Sequence, residues 1–222
     1  LRAGRHDEVV PRRAELVERH PLRERLCGLL MLGLGAGWHQ PEFDAFGYSF
    51  DDRVSQFEEA LQIIVPLVKT GKVDFTGRHF AAPACELLPP PREGGIPVLI
   101  ASRKPRMLDL TARYADQWNT AWLGHVDALA ERRAAVESAC LAAGRDPGTL
   151  EITVGVNVGF PELGAERDTV DPNNVIWGSV DEVAAAFRGY AEAGVGHLIC
   201  AADPLTEDAI GLVSRAWEKV KS

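Results

Sequence analysis

Strand-like and helix-like segments alternate along this chain, and that alternation constrains its fold more than any other feature. Apolar or β-prone runs stand at 29–35 (LLMLGLG), 97–101 (PVLIA), 116–120 (DQWNT), 150–158 (LEITVGVNV) and 197–200 (HLIC). Each is followed by a helical segment. The first, over 52–69, carries Val54, Phe57, Ala60, Leu61, Ile64 and Val68 at steps of three and four. The second opens at Pro105, a residue well suited to the first helical position, and runs to about Ala115. The third spans 125–143 and stops at Gly144. The fourth, over 180–193, is announced by Ser179 and Glu182, spaced as a capping box, and the fifth covers 205–221. Strands that alternate with helices pair in parallel through right-handed crossovers. An open doubly wound sheet and a β/α barrel both satisfy the pattern. In either, ligands sit beyond the carboxyl ends of the strands.

Other stretches interrupt this rhythm. Val73–Phe75 and His79–Phe80 read as a small hairpin about Thr76-Gly77-Arg78. Residues 83–96 are Pro-rich and read as a loop, as do the aromatic-rich segment 41–50 and the segment 159–178. Residues 7–26 are rich in Arg and Glu and divided by Pro11 and Pro21, which predicts one short exposed helix or a poorly ordered arm.

With 222 residues, 46% hydrophobic and 25% charged, the chain has the composition of a globular protein with a sizeable core. The formal net charge is −8, which makes the chain a poor general binder of nucleic acid. The charge is uneven. Residues 1–26 hold seven arginines against five acidic residues, so the excess of acid lies wholly in the remainder. No window is apolar enough for a transmembrane helix, and nothing at the front has the apolar centre of a signal peptide. Cys27, Cys85, Cys140 and Cys200 form no C-x-x-C pair and read as reduced thiols, so the expected compartment is the cytoplasm. The chain begins with Leu rather than Met, which points to a processed or partial chain.

Three loops at expected strand ends are chemically dense. In Gly35-Ala36-Gly37-Trp38-His39, glycine lets a flat ligand approach the backbone, Trp38 offers a stacking surface, and His39 offers a hydrogen bond or a proton. In Ala101-Ser102-Arg103-Lys104-Pro105, a helix start with two cations and a hydroxyl suits an anion such as phosphate. Trp118-Asn119-Thr120 places a ring and an amide beside a cleft. The plain structural readings are a packed rim with a partly buried tryptophan, a solvated Arg-Lys pair, and a core lid. His197 reads as a core histidine within a buried strand, and Asp203-Pro204 as a helix cap. The histidines have no metal-ligand spacing, so no metal site is expected. Gly33–Gly37 lacks the G-x-G-x-x-G spacing, and neither a G-x-S-x-G elbow nor a phosphate-binding P-loop is present.

Taken in order, MLGLGAGWHQPEFDAFGYSFDDRVSQFEEALQII (31–64), VDFTGRHF (73–80), PVLIASRKPRMLDLTARYADQWNTAW (97–122) and GSVDEVAAAFRGYAEAGVGHLI (178–199) resemble the bacterial luciferase-like family of flavin- and deazaflavin-dependent oxidoreductases. The resemblance runs from Leu29 to the C-terminus. It implies a (β/α)8 TIM-type barrel, with about five βα units visible and the first three strands not evident in 1–28. It divides the chain into an atypical segment, 1–28, and a barrel domain, 29–222. The implied cofactor is coenzyme F420 as first choice or FMN, and the implied reaction is hydride transfer to a small organic substrate or to oxygen. Ring-side contacts fall on Gly37, Trp38 and His39, with His39 as the candidate catalytic proton donor. The phosphate falls on Ala101, Ser102, Arg103 and Lys104, and Trp118 and Asn119 match a recurrent cleft segment. Where many relatives have a glycine-rich phosphate loop, this chain has Arg103 and Lys104. Two other readings stand beside it: a truncated, catalytically silent family member acting as an assembly partner, and a phosphate-binding barrel enzyme outside the flavin world. A five-strand remnant leaves apolar edges at Leu30–Leu34 and Leu198–Cys200, so the expected state is a homo-oligomer, a dimer in the simplest case.

Overall fold

A computed structural model describes residues 30–165 and 172–221. The expectations for residues 7–26, and those for the middle of 159–178, lie outside the described residues. The described chain forms two compact units. One comprises residues 58–96 with 30–32, and the other comprises 33–57 and 97–221.

The larger unit is built on a parallel sheet. Its strands are β1 (Leu32–Leu34), β4 (Val98–Ala101), β5 (Gln117–Ala121), β6 (Glu151–Gly159), β7 (Val175–Trp177) and β8 (His197–Asp203). The order is β1-β4-β5-β6, with β8 on the far edge of β6 and the short β7 also paired to β6. Strands β4 to β8 pair in parallel. β5 meets residues 151–155 of β6, and β7 meets residues 157–159. With the short β7 set aside, each strand lies beside its predecessor in this unit, without the reversal of a doubly wound sheet. That order is the winding of a β/α barrel.

The register sorts the side chains by face. Asn119 lies opposite Thr153, and its Nδ2 donates to Thr153 Oγ1 at 2.8 Å, so both point to the same side. Trp118 and Thr120 point to the other side. Helices α3 (Pro105–Tyr114), α4 (Leu129–Ala142), α5 (Val180–Glu192) and α6 (Glu207–Lys221) supply the partner layer. Ile100, Trp118, Val154, Val156 and Val158 are buried on the helix side, with Leu110, Val136, Phe187 and Tyr190 against them. The inner face of β6 reads Thr153-Gly155-Asn157-Gly159, small and polar. The strands therefore alternate rather than being apolar on both faces.

Several expectations are corrected. Residues 41–50 are not all loop, because α1 (Gln40–Phe46) forms there, with proline in its first turn and Gly47 closing it at φ 74°. Phe43 stacks edge-on against Phe50 at 5.2 Å. The first strand is shorter than 29–35. The segment 159–178 contains β7. His197 is exposed, because β8 is a sheet edge whose inner face is uncovered. Ile199, two residues on, is 43% exposed. Asp203 ends β8 rather than capping a helix. Thr206 caps α6 instead, its Oγ1 accepting the Ala209 N–H at 3.3 Å.

In the smaller unit, the long helix α2 (Arg53–Thr70) continues past residue 58 and leads to a hairpin of β2 (Lys72–Thr76) and β3 (Ala81–Glu86). The sequence reading placed the second strand at 79–80 and a Pro-rich loop from 83, whereas the strand runs through Pro83 to Glu86. A bulge admits the proline. Phe75 pairs with Ala82 but Val73 with Cys85, which takes Pro83 and Ala84 out of the ladder. Asp74 Oδ1 accepts the Ala84 N–H at 3.3 Å there. The turn is held by Glu59, whose carboxylate accepts the N–H groups of Arg78, His79 and Phe80 at 2.9, 2.8 and 3.0 Å. Desolvation opposes the charge, but these three donors outweigh it and hold the carboxyl below its ordinary value.

Two outcomes follow. Glu59 and Glu182 both titrate low when folded, Glu182 because the Ser179 N–H and hydroxyl bind it. Their stabilisation is therefore complete above the ordinary carboxylate range and is lost as pH falls through the folded values. Melting scans from pH 6 to pH 3 should show a decline that Glu59→Gln and Glu182→Gln flatten. The capping box at α5 is formed, with Ser179 Oγ accepting the Glu182 N–H at 3.4 Å and the Ser179 N–H reaching Glu182 Oε2 at 2.8 Å. Ser179→Ala should cost about 1 kcal/mol in denaturant unfolding.

Candidate active site

The loop after β4 is fixed from within. The Ser102 N–H donates to the Asn119 carbonyl at 3.2 Å. Its carbonyl accepts the Trp118 indole N–H at 3.0 Å, and its hydroxyl pairs with Thr111 Oγ1 at 2.8 Å. Every polar group of Ser102 is thus spent inside the protein, and the residue is buried. What it accomplishes is placement: it holds the backbone from which Arg103 and Lys104 emerge. Both cations are exposed and have no ion pair or hydrogen-bond partner among the described residues. Lys104 is the N-cap of α3, whose first turn has proline and no side-chain cap. The arrangement joins a helix start to two unpaired cations, which is a receptive environment for an anion.

Trp118 and Asn119 serve this loop differently from one another. Trp118 is 1% exposed and faces the helices, so its ring is part of the core and not a stacking surface at the inner face. Asn119 faces inward, but its Nδ2 is committed to Thr153, whose hydroxyl in turn reaches the Trp118 carbonyl at 3.2 Å. Ala101, the last residue of β4, is exposed.

The segment after β1 divides into an open and a closed half. A Cβ on Gly35 would meet nothing within 4 Å. Gly37, at φ 79°, is packed on the Phe43 ring, which a Cβ would approach to 2.7 Å. The backbone face available for close approach is therefore that of Gly35, while Gly37 makes the turn. Trp38 is 83% exposed and meets the His39 ring edge-on at 5.1 Å. His39 stands at the N-cap of α1 and is half-buried.

Sequence reasoning missed three residues. Arg132, on α4, donates from Nη1 to Thr120 Oγ1 and to the Ala121 carbonyl, both at 2.8 Å. It shares a cavity of about 210 Å³ with Arg103, Leu108, Trp118, Glu131 and Ala135. Burial, and next the like charge of Arg103, pull the Arg132 guanidinium below its ordinary value, against the opposing pull of Tyr190 and Glu131. Asn157, on the inner face of β6, donates to the Asn174 carbonyl at 3.2 Å. Trp177 lies across Gly159, where a Cβ would collide with its ring. Trp122, which the sequence places near the Trp118-Asn119-Thr120 segment, lies just beyond β5 and is 49% exposed. The period-two run Thr153-Gly155-Asn157-Gly159 was the available signal for the inner face. Nothing local marks Arg132, which sits among other charges on a helix.

No cluster of His, Cys, Asp or Glu among the described residues is arranged to hold a metal ion. No helix among them is long and apolar enough to cross a membrane.

The family model for luciferase-like monooxygenases matches residues 28–166. A second family model, for a bacterial transcriptional activator domain, matches residues 1–37. Among curated relatives, the pyrimidine monooxygenase RutA of Variovorax paradoxus is 33% identical over 94 residues, which is 40% of this chain and 25% of that protein. The 5,10-methylenetetrahydromethanopterin reductase of Archaeoglobus fulgidus is 25% identical over 197 residues, covering 85% of this chain and 52% of the relative. The chain thus spans between a quarter and about half the length of these relatives. Among solved structures, an F420-dependent secondary alcohol dehydrogenase holding an F420–acetone adduct superposes with TM-score 0.71 at 18% identity, over 90% of this chain and 71% of that one. A riboflavin lyase with modified FMN and riboflavin superposes with TM-score 0.60 at 13% identity, over 81% and 60%. These likenesses show the fold. The F420 and FMN named in the two structures belong to those proteins. With the family model covering more than half the chain and the strand order of a β/α barrel, this chain belongs to the luciferase-like monooxygenase family.

Proposed function

We propose that this chain forms the cofactor-phosphate side of an oxidoreductase that uses coenzyme F420, or else FMN, to act on a small organic substrate. The observation that carries the reading is the loop after β4, where a fully engaged Ser102 holds the backbone from which two unpaired cations, Arg103 and Lys104, emerge just past the carboxyl end of the strand. The residues present fit such a cofactor. The inner faces of β5 and β6 are small or polar there, Gly35 leaves its backbone open, and the cations suit a phosphate. When bound, the cofactor supplies the redox chemistry as a hydride carried on its ring.

Each residue then has a distinct part. Arg103 and Lys104 neutralise the phosphate, replacing the backbone donors of a glycine-rich loop with side-chain charge. Ala101 and Asn119 form the floor beneath, Asn119 through its bond to Thr153. Trp118 acts from behind the sheet, because its indole N–H holds the Ser102 carbonyl. Gly35 to Trp38 bound the ring side, and His39 holds the proton for the substrate. The boundary near residue 28, where composition changes, separates this domain from the front segment.

A second reading is favoured by the exposed inner face of β8, with Ile199 43% exposed. There the chain is an assembly partner rather than an enzyme by itself. We infer self-association in either case, because an unpaired apolar strand invites pairing with a second copy.

Two measurements test these statements. Arg103→Ala combined with Lys104→Ala should weaken FMN or F420 binding about tenfold or more, as for loss of charge-assisted hydrogen bonds, while riboflavin, which has no phosphate, is little affected. Equal binding by parent and variant would remove the cations from the site. Light scattering across a concentration series should give a mass above the 24.2 kDa monomer, with a melting temperature that rises with concentration. A monomer with a concentration-independent melt would contradict self-association.

A further inference from the structure

The cavity shared by Arg103 and Arg132 lies on the outer side of the sheet, between α3 and α4. Leu108 comes from α3, and Glu131, Arg132 and Ala135 come from α4. Trp118 forms its floor, on the face of β5 opposite Asn119. At about 210 Å³ it is smaller than the 300 Å³ or so at which pockets begin to take a whole drug-sized ligand. It accommodates a terminal group, not a three-ring system. Its charges are unbalanced. Arg103 has no partner among the described residues, and Arg132 spends only Nη1, on Thr120 and Ala121. The two guanidiniums are close enough for the charge of one to disfavour that of the other. Among the described residues, Glu131 alone brings a carboxylate to the cavity, and it is exposed. It offsets part of the repulsion between the two guanidiniums, and an entering anion would offset more.

We propose that this cavity takes a second anionic group of the cofactor, beyond the phosphate held at Arg103 and Lys104, and that it selects a cofactor with an acidic tail over one that ends at its phosphate. The inference rests on the phosphate placement proposed above. Arg103 links the two places, since it stands in the loop after β4 assigned to the phosphate and also lines this cavity. A chain leaving the phosphate through the cavity meets Arg132 there. FMN ends at its phosphate and leaves Arg132 without a ligand. Coenzyme F420 continues from its phosphate into a carboxylate-bearing tail, which supplies the missing charge. Arg132 is thereby a specificity-determining residue, and Glu131 limits how tightly the tail is held.

The test is fluorescence titration of the purified full chain with F420 bearing at least two tail glutamates, with FMN and with riboflavin. Three variants are compared with the parent: Arg132→Ala, Arg132→Lys and Glu131→Gln. Arg132→Ala should weaken F420 about tenfold and FMN less than about twofold, with partial recovery in Arg132→Lys. Because Arg132 also holds Thr120 and Ala121, its loss can disturb the fold. Glu131→Gln breaks no hydrogen bond or ion pair among the described residues and should tighten F420 by about twofold without changing FMN or riboflavin. F420 affinity within error of the parent in Glu131→Gln and folded Arg132→Ala overturns the proposal and leaves the phosphate site standing. Equal weakening of F420 and FMN overturns it as well, because Arg132 would then serve the shared phosphate. Failure of the parent to bind F420 or FMN at all overturns both this proposal and the reading it rests on.

Discussion

The nine residues of β6 pair with three other strands: β5 along the lower part of one edge, β7 along the upper part of that edge, and β8 along the other. The larger unit depends on this pairing. It sets the register that turns Val154, Val156 and Val158 to the helices and Thr153, Gly155, Asn157 and Gly159 inward. The first set builds the core by burying branched apolar groups against α4, α5 and α6. The second leaves space. A parallel strand with glycine at alternate positions is weak by itself, and here the weakness is offset because ladders on both edges satisfy its backbone.

The candidate site inherits this division. Trp118, Ser102 and Thr111 form a buried chain of hydrogen bonds that belongs to the core, yet its consequence appears at the surface, where it fixes the direction of Arg103 and Lys104. Rigid support behind exposed cations is a sound arrangement for an anion site, since less order must be imposed when the ligand arrives. The same logic explains why Trp118 and Asn119, adjacent in sequence, do different things. Alternation along a strand puts one in the helix layer and the other on the inner face.

Much of the fold was legible because its signals are local. Pro105 and Gly144 mark helix ends, Ser179 and Glu182 form the predicted box, and the period of α2 is evident from Val54 to Val68. The hairpin was half visible, since a bulge that carries Pro83 cannot be anticipated from a rule against proline in strands. α1 was missed because it is only seven residues long, and its two aromatic residues, Phe43 and Phe46, are too few to set a helical period. His197 was misjudged because HLIC reads as a buried strand, and burial depends on whether another strand covers it.

Local pattern alone carried the alternation of strand and helix, the resemblance to the luciferase-like family, and the presence of Arg103 and Lys104 at a strand-to-helix turn. These depend on neighbours within a few residues, or on an ordered set of segments. Assembly of the sheet and its helices settled which tryptophan is core and which is exposed, that Ser102 is spent internally, and that Arg132 shares a cavity with Arg103. Those facts join residues about 10 to 35 positions apart through strand register and helix packing, and no local pattern encodes the distance between two side chains that meet only when the sheet is assembled.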